Sequence, residues 1–232
     1  MQALARIARW SSQVLLAPRC LVCGERGADG LDLCGHCRAE LPWNREACPR
    51  CALPLAGGED CPRCLSGAPP FGLAHAAFRY TFPIDRLVPR FKFHGDLAAG
   101  ALLAMLLAWS LDPAQRPQAL LPVPLHRSRL RQRGYDQALE LARALAREAQ
   151  LPLLAGRLRR CRRTLAQTEL GAAARRRNVL GAFALSPGPP LPAHVALVDD
   201  VLTTGATAGE CAHLLLDAGV ERVDVWAVAS AP

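Results

Sequence analysis

The residues best suited to chemistry lie at 195–207, reading VALVDDVLTTGAT, where two adjacent carboxylates and a loop of small residues follow an apolar run. Val195, Leu197 and Val198 suit a buried strand, which Asp199 and Asp200 are expected to end abruptly. Gly205 permits a tight turn, and Thr207 with Glu210 three residues on has the spacing of a capping box that opens a helix. In an α/β sheet, ligands gather beyond the carboxyl ends of the strands, and this order places both aspartates there. The backbone N–H groups of Thr203, Thr204, Gly205, Ala206 and Thr207 then converge on an anion at the positive end of the following helix. Threonine hydroxyls add donors, and the lack of bulky side chains lets the backbone come close. Such a site suits a phosphorylated sugar.

A second set of reactive side chains is made of thiols. Of the ten cysteines, eight form four C-x-x-C pairs before residue 65: Cys20/Cys23, Cys34/Cys37, Cys48/Cys51 and Cys61/Cys64. Four evenly repeated pairs suit two tetrahedral zinc sites, about two ions per chain, with each pair supplying two thiolates from one tight knuckle. Gly24, Gly35, Pro49 and Pro62 fit the turns required, and the near-equal gaps 23–34 and 51–61 read as an internal duplication. A disulfide framework would require an export signal. Residues 1–17 are interrupted by Arg6, Arg9 and Trp10, and Pro18-Arg19 makes a poor cleavage site, so they read as a short amphipathic helix packed on the ribbons. A cytoplasmic location is expected, and it favours metal over disulfides. Cys161 and Cys211 have no partner spacing and read as ordinary thiols.

The elements that must position these groups follow from the remaining pattern. The cysteine-rich part, residues 1–70, is expected to form a small module on a domain spanning 71–232. Strands are expected at 76–80, 119–123, 151–158, 182–185, 195–198 and 223–229. Helices are expected at 84–93, 97–111, 135–150 and 208–218, with a Pro/Gly linker at 186–192. Strands alternating with helices predict an α/β fold with a mainly parallel sheet covered on both faces. Residues 97–111, LAAGALLAMLLAWSL, are the most apolar stretch, but they are too short to span a membrane and are bracketed by Asp96 and Asp112. They read as a buried helix, and no membrane insertion is expected.

Net charge is +8, from 28 basic against 20 acidic residues, with Lys92 the single lysine. Arginine suits bidentate phosphate contact, although a compositional replacement of lysine by arginine accounts for much of the preference. Two basic stretches carry possible function. Residues 122–137, PVPLHRSRLRQRGYDQ, deliver Arg127, Arg129, Arg131 and Arg133 before a helix, either to a diphosphate or to a solvated surface. Residues 162–178 join basic side chains to Thr164, Gln167 and Asn178, in the manner either of a loop that closes over a site or of a flexible connection.

The segment 195–207 resembles the phosphoribosyl diphosphate (PRPP) motif of type I phosphoribosyltransferases. The resemblance implies that Asp199 and Asp200 hold the ribose hydroxyls and favour a nearby Mg²⁺, that Thr203, Thr204, Gly205, Ala206 and Thr207 cradle the 5′-phosphate, and that Val201 and Leu202 between them belong to the same PRPP-binding stretch. Taken in order, the C-x-x-C pairs, K-F-H-G-D at 92–96, P-V-P-L then R-x-R-G-Y-D-Q ending at Gln137, R-x-T-x-x-Q at 162–167, N-V-x-G-A-F at 178–183 and V-D-D-V-x-T-T-G-A-T resemble the ComF/GntX family of competence-associated phosphoribosyltransferase-like proteins. Tyr135 and Asp136 stand where that family often has Phe and Asn. The resemblance covers essentially the whole chain. It implies a type I phosphoribosyltransferase-like fold with a double zinc ribbon, and a diphosphate site at Leu125, His126, Arg127, Arg162 and Arg163.

The implied role is as an accessory factor in taking up or using single-stranded DNA, alongside a helicase-like competence protein. Arg19, Arg26, Arg38, Arg45, Arg50 and Arg63 would give the ribbons a basic surface. The alternatives are a phosphoribosyltransferase of nucleotide salvage and a PRPP or nucleotide sensor. No catalytic nucleophile or base pocket can be identified from the sequence, and few aromatic side chains are available to stack on bases.

Overall fold

The computed structural model describes residues 18–55, 61–162 and 177–231. The expected N-terminal helix and most of the stretch 162–178, including Arg163, Thr164 and Gln167, lie outside them.

Four strands form the central sheet: β1 (Ala74–Arg79), β2 (Ala119–Pro122), β5 (His194–Leu202) and β6 (Arg222–Ser230). All their pairings are parallel, in the order β1-β6-β5-β2. A two-stranded antiparallel ribbon, β3 (Leu158–Arg160) with β4 (Phe183–Leu185), stands apart from it. The expected strand at 151–158 is therefore not continuous. Leu153 makes a single parallel bridge to Leu120, the chain turns at 155–156, and the true strand begins at Leu158.

Alternation along β5 sends successive side chains to opposite faces of the sheet. Ala196 and Val198 join one core with helices α3 (Ile84–His94), α4 (Leu97–Ser110) and α6 (Gln137–Ala149). Val195 and Leu197 join a second core with helix α7 (Ala206–Asp217) and the β3–β4 ribbon. Both faces are thus covered, as parallel pairing requires. Burial of Ile84, Leu87, Val88 and Phe91 follows the helical repeat of α3. The apolar α4 packs so closely on it that a β-carbon at Gly100 would stand 2.4 Å from the Phe91 ring. Asp96 caps α4 by accepting from the Ala99 N–H at 3.0 Å. Among the described residues no helix is long and apolar enough to cross a membrane.

The cysteine region contains two copies of one design. In each, the first C-x-x-C sits on a knuckle, closed by Gly24 N–H to Cys20 carbonyl in one copy and by Ala52 N–H to Cys48 carbonyl in the other, both 2.8 Å. In each, the second pair opens a short helix, α1 (Gly35–Ala39) after Cys34 and α2 (Pro62–Leu65) after Cys61. Gly24 and Ala52, four residues beyond the first cysteine of each copy, both have positive φ, +80° and +56°. The repeat expected from the spacing is therefore present down to the backbone conformation.

Candidate functional site

The strand β5 does not stop at the aspartates. It continues to Leu202, with Asp199 opposite Ala227 and Leu202 opposite Ser230, because β6 is equally long and keeps the ladder paired. The adjacent carboxylates therefore leave a pleated strand toward opposite faces. Asp200 is buried and turns to the α3 side, where the Lys92 ammonium lies 2.8 Å from Oδ2 and 3.1 Å from Oδ1. Burial opposes the charge on Lys92, but attraction to Asp200 outweighs it and holds the ammonium above its ordinary range. Asp199 turns to the other side. Burial first, then the charge of Asp200, push its carboxyl up to about 7 against the pull of Lys92. On that side Arg160 of β3 lies within electrostatic reach of Asp199, Arg129 and Arg162.

Beyond Leu202 the chain turns through Thr203 and Thr204 to Gly205, whose φ of +73° only glycine adopts without strain, and enters α7 at Ala206. The helix thus begins two residues earlier than expected, and the capping box does not form. Gly205 is the cap residue, Thr207 lies inside the first turn, and Glu210 Oε1 instead accepts from the Gly181 N–H at 2.6 Å. The N-terminal turn of α7 is left facing the carboxyl edge of the sheet, with Thr203, Thr204, Gly205, Ala206 and Thr207 all partly buried.

The basic stretch after β2 is ordered differently from a loop. Residues Arg127–Arg133 form helix α5, capped at its start by His126 Nδ1, which accepts from the Ser128 N–H, and ended at Gly134. Leu125 donates its N–H to Asp136 Oδ2 at 3.1 Å while Asp136 Oδ1 caps α6 through the Leu139 N–H. Arg127 is exposed, and Arg162 is tied to the carbonyls of Asn178 and Leu180 at 3.1 and 2.7 Å. Lys92 and Arg160 stand outside the residues expected at the site, and Arg63 was expected only on a basic surface of the ribbons. Lys92 carried a usable signal, being the one lysine of an arginine-rich chain. Arg160 and Arg63 carried none, because only folding brings them to β5 and to the loop after it.

Each cysteine repeat closes on itself. Cys20, Cys23, Cys34 and Cys37 form one cluster and Cys48, Cys51, Cys61 and Cys64 the other, with all four sulfurs of each lying within 4.8 Å of one another. A tetrahedron of Zn–S bonds of about 2.3 Å places sulfurs about 3.8 Å apart. The contacts Cys23–Cys34 and Cys48–Cys64, both 3.7 Å, and Cys51–Cys61, 3.4 Å, match that spacing and are far too long for disulfides. The donor set fits two zinc ions. Cys161 is exposed and Cys211 buried, and neither belongs to a cluster.

Fold and site together define an α/β protein with a parallel sheet, an acidic strand end running into a glycine-turned helix, and two four-thiol metal centres in its N-terminal part. The family model for the double zinc ribbon domain matches residues 11–65. Competence protein F of Haemophilus influenzae is 35% identical over 206 residues, covering 85% of this chain and 84% of that protein. The DNA utilization protein YhgH of Salmonella typhimurium is 35% identical over 201 residues, 84% and 88% of the two chains. Competence protein ComFC of Streptococcus pneumoniae is 28% identical over 229 residues, 90% and 99% of the two. The chain belongs to the ComF family of competence proteins.

Proposed function

We propose that this chain binds PRPP with Mg²⁺ at the carboxyl end of β5 and acts as an accessory factor in the uptake or use of single-stranded DNA. The observation that carries the first part is the junction of β5 and α7. Two carboxylates at the end of a central parallel strand are followed by a left-handed glycine and a helix N-terminus. Ribose hydroxyls are donors that Asp199 and Asp200 accept, and the N–H groups of residues 203–207 receive the 5′-phosphate. Lys92 pairs with Asp200 at 2.8 Å, and Arg129 and Arg160 supply positive charge on the Asp199 side for the diphosphate. Asp199 and Asp200 would attract a Mg²⁺ arriving with the ligand, which would neutralise part of the diphosphate charge.

The second part rests on the relatives, whose names speak of competence and of DNA utilization. The ribbons present Arg19, Arg26, Arg45 and Arg50 on the exterior, whereas Arg38 pairs with Asp29 and Arg63 turns inward. Trp43 is occupied in a ring contact with Phe78, centroids 4.6 Å apart, so a phosphate-tracking surface fits better than a stacking platform. Calorimetric titration with PRPP and Mg²⁺ tests the site. Binding is expected to disappear when Asp199→Ala and Asp200→Ala are combined, and unchanged affinity in that variant refutes the assignment.

A further inference from the structure

We infer that the second zinc centre is part of the sugar-phosphate site, with Arg63 as the positioning residue that joins them; this rests on reading residues 203–207 as a phosphate cradle. Arg63 lies within the knuckle between Cys61 and Cys64, on α2. Its Nη1 donates to the Thr203 carbonyl at 2.5 Å, a contact between residues 140 positions apart. Behind the same loop, the Phe71 ring stands 3.5 Å from where a β-carbon on Gly205 would lie, and Pro70 stands 3.5 Å from the same point on Gly209. A cavity of about 300 Å³ separates the two sides, walled by Cys51, Arg63 and Phe71 on one and by Thr204, Gly205 and Gly209 on the other. The rear of the phosphate loop is therefore built by the second ribbon and the segment that follows it.

The Thr203 carbonyl and the Thr204 N–H belong to one planar trans peptide and point in opposite directions. A guanidinium held on the carbonyl fixes that plane and strengthens the N–H as a donor on the far side, where the anion binds. What holds Arg63 in place is the metal. Helix α2 buries none of its residues fully, and the small cluster around it consists of Cys48, Cys51 and Cys61 with Leu53, Leu55 and Cys64 packed against them. Such a cluster has little apolar surface of its own, so zinc supplies most of its folding energy. The first centre differs. Cys20 and Cys37 pack with Leu31, Leu33 and Leu41 into the main core beside α3 and α4. Zinc at the second centre and the ligand at the loop thus favour one another, while zinc at the first is independent of the ligand.

Binding linkage is reciprocal, so both directions are measurable. In the zinc-loaded full chain, competition with a zinc-selective chromogenic chelator is run with and without saturating PRPP and Mg²⁺. One of the two zinc equivalents is expected to become about tenfold harder to extract in the presence of ligand, and the other is expected to be unchanged. The factor is that of one charge-assisted hydrogen bond partly open to solvent. Arg63→Gln, with two zinc still bound, is expected to weaken PRPP binding by the same factor and to erase the difference in extraction, and Arg63→Lys is expected to restore part of both. PRPP binding with both zinc equivalents indifferent to it, or unaltered binding by Arg63→Gln, overturns the coupling alone. Failure of the wild-type chain to bind PRPP overturns the reading of the cradle, and the coupling with it. The wild-type arm needs no substitution, so a variant that does not fold still leaves a decisive result.

Discussion

Replacing Asp199 with Asn is expected to make the protein more stable, and increasingly so as pH rises. Asp199 is held in a partly buried position beside Asp200, and burial first, then the charge of that neighbour, raise its carboxyl to about 7 from an ordinary 3.8. The folded chain therefore binds this proton more tightly than the unfolded chain. The contribution of this group is largest below about pH 4, where both states keep the proton. It falls as pH rises through the window between the unfolded and folded values, and levels off above about pH 8. A difference of roughly three pKa units, each worth about 1.4 kcal/mol, sets an upper limit of about 4 kcal/mol. Partial access to water brings the expected gain to about 2 kcal/mol at pH 8 and under about 1 kcal/mol at pH 5. Asn keeps the shape and the oxygen that accepts from the Asp200 N–H at 2.8 Å, so the substitution isolates the charge. For a chain of this length the gain corresponds to a rise of roughly 4–8 °C in Tm at pH 8. Paired thermal and urea melts of both proteins at the two pH values, followed by tryptophan fluorescence, to which the buried Trp226 contributes, measure it. Any zinc-linked pH sensitivity is common to both proteins and cancels in the difference. Loss of stability in the Asn variant at pH 8, or a gain of equal size at pH 5, would refute the reasoning. On the proposed PRPP site the same substitution is expected to weaken PRPP binding, so stability and ligand affinity are expected to move in opposite directions.

Lys92→Met leaves Asp200 as a buried carboxylate without its cation, and is expected to cost about 3 kcal/mol. Adding Asp200→Asn is expected to recover most of that loss, and a double-mutant cycle in urea denaturation that shows simple additivity would remove the pair from the account. Binding of unstructured single-stranded DNA is expected to weaken with salt, with log K falling against log salt at about −0.7 per phosphate contacted. Replacing the exposed Arg26, Arg45 and Arg50 together by Ser is expected to lower that slope by about 2. DNA binding that ignores salt counts against a phosphate-tracking surface.

Much of the architecture was legible in the chain before folding, because local pattern carries it. The 3.6-residue repeat in Ile84, Leu87, Val88 and Phe91, the continuous apolar runs of β2, β5 and β6, and the alternation of the two element types state a parallel sheet covered on both faces. The boundaries were less legible. β5 overran Asp199 and Asp200 because ladder pairing with β6 outweighs the low strand propensity of two aspartates. The box of Thr207 and Glu210 yielded to a glycine turn at 205, because Glu210 has a distant partner in the Gly181 N–H. Residues 127–133 closed into a helix because His126 and Gly134 supply a cap and a stop.

The sequence by itself determined the ingredients: eight thiols in four knuckles, a carboxylate pair, a turn that needs glycine, and a surplus of arginine. Thiolate spacing within a knuckle and the backbone freedom of glycine are local properties, so they can be read from neighbours in the chain. Tertiary structure alone decided which knuckles share a metal, that consecutive pairs close on themselves, and that adjacent aspartates diverge to opposite faces. It also decided that Lys92 meets Asp200 and Arg63 meets Thr203, contacts 108 and 140 residues apart. Those pairings depend on the packing of whole elements around two cores, and no window of sequence holds both partners.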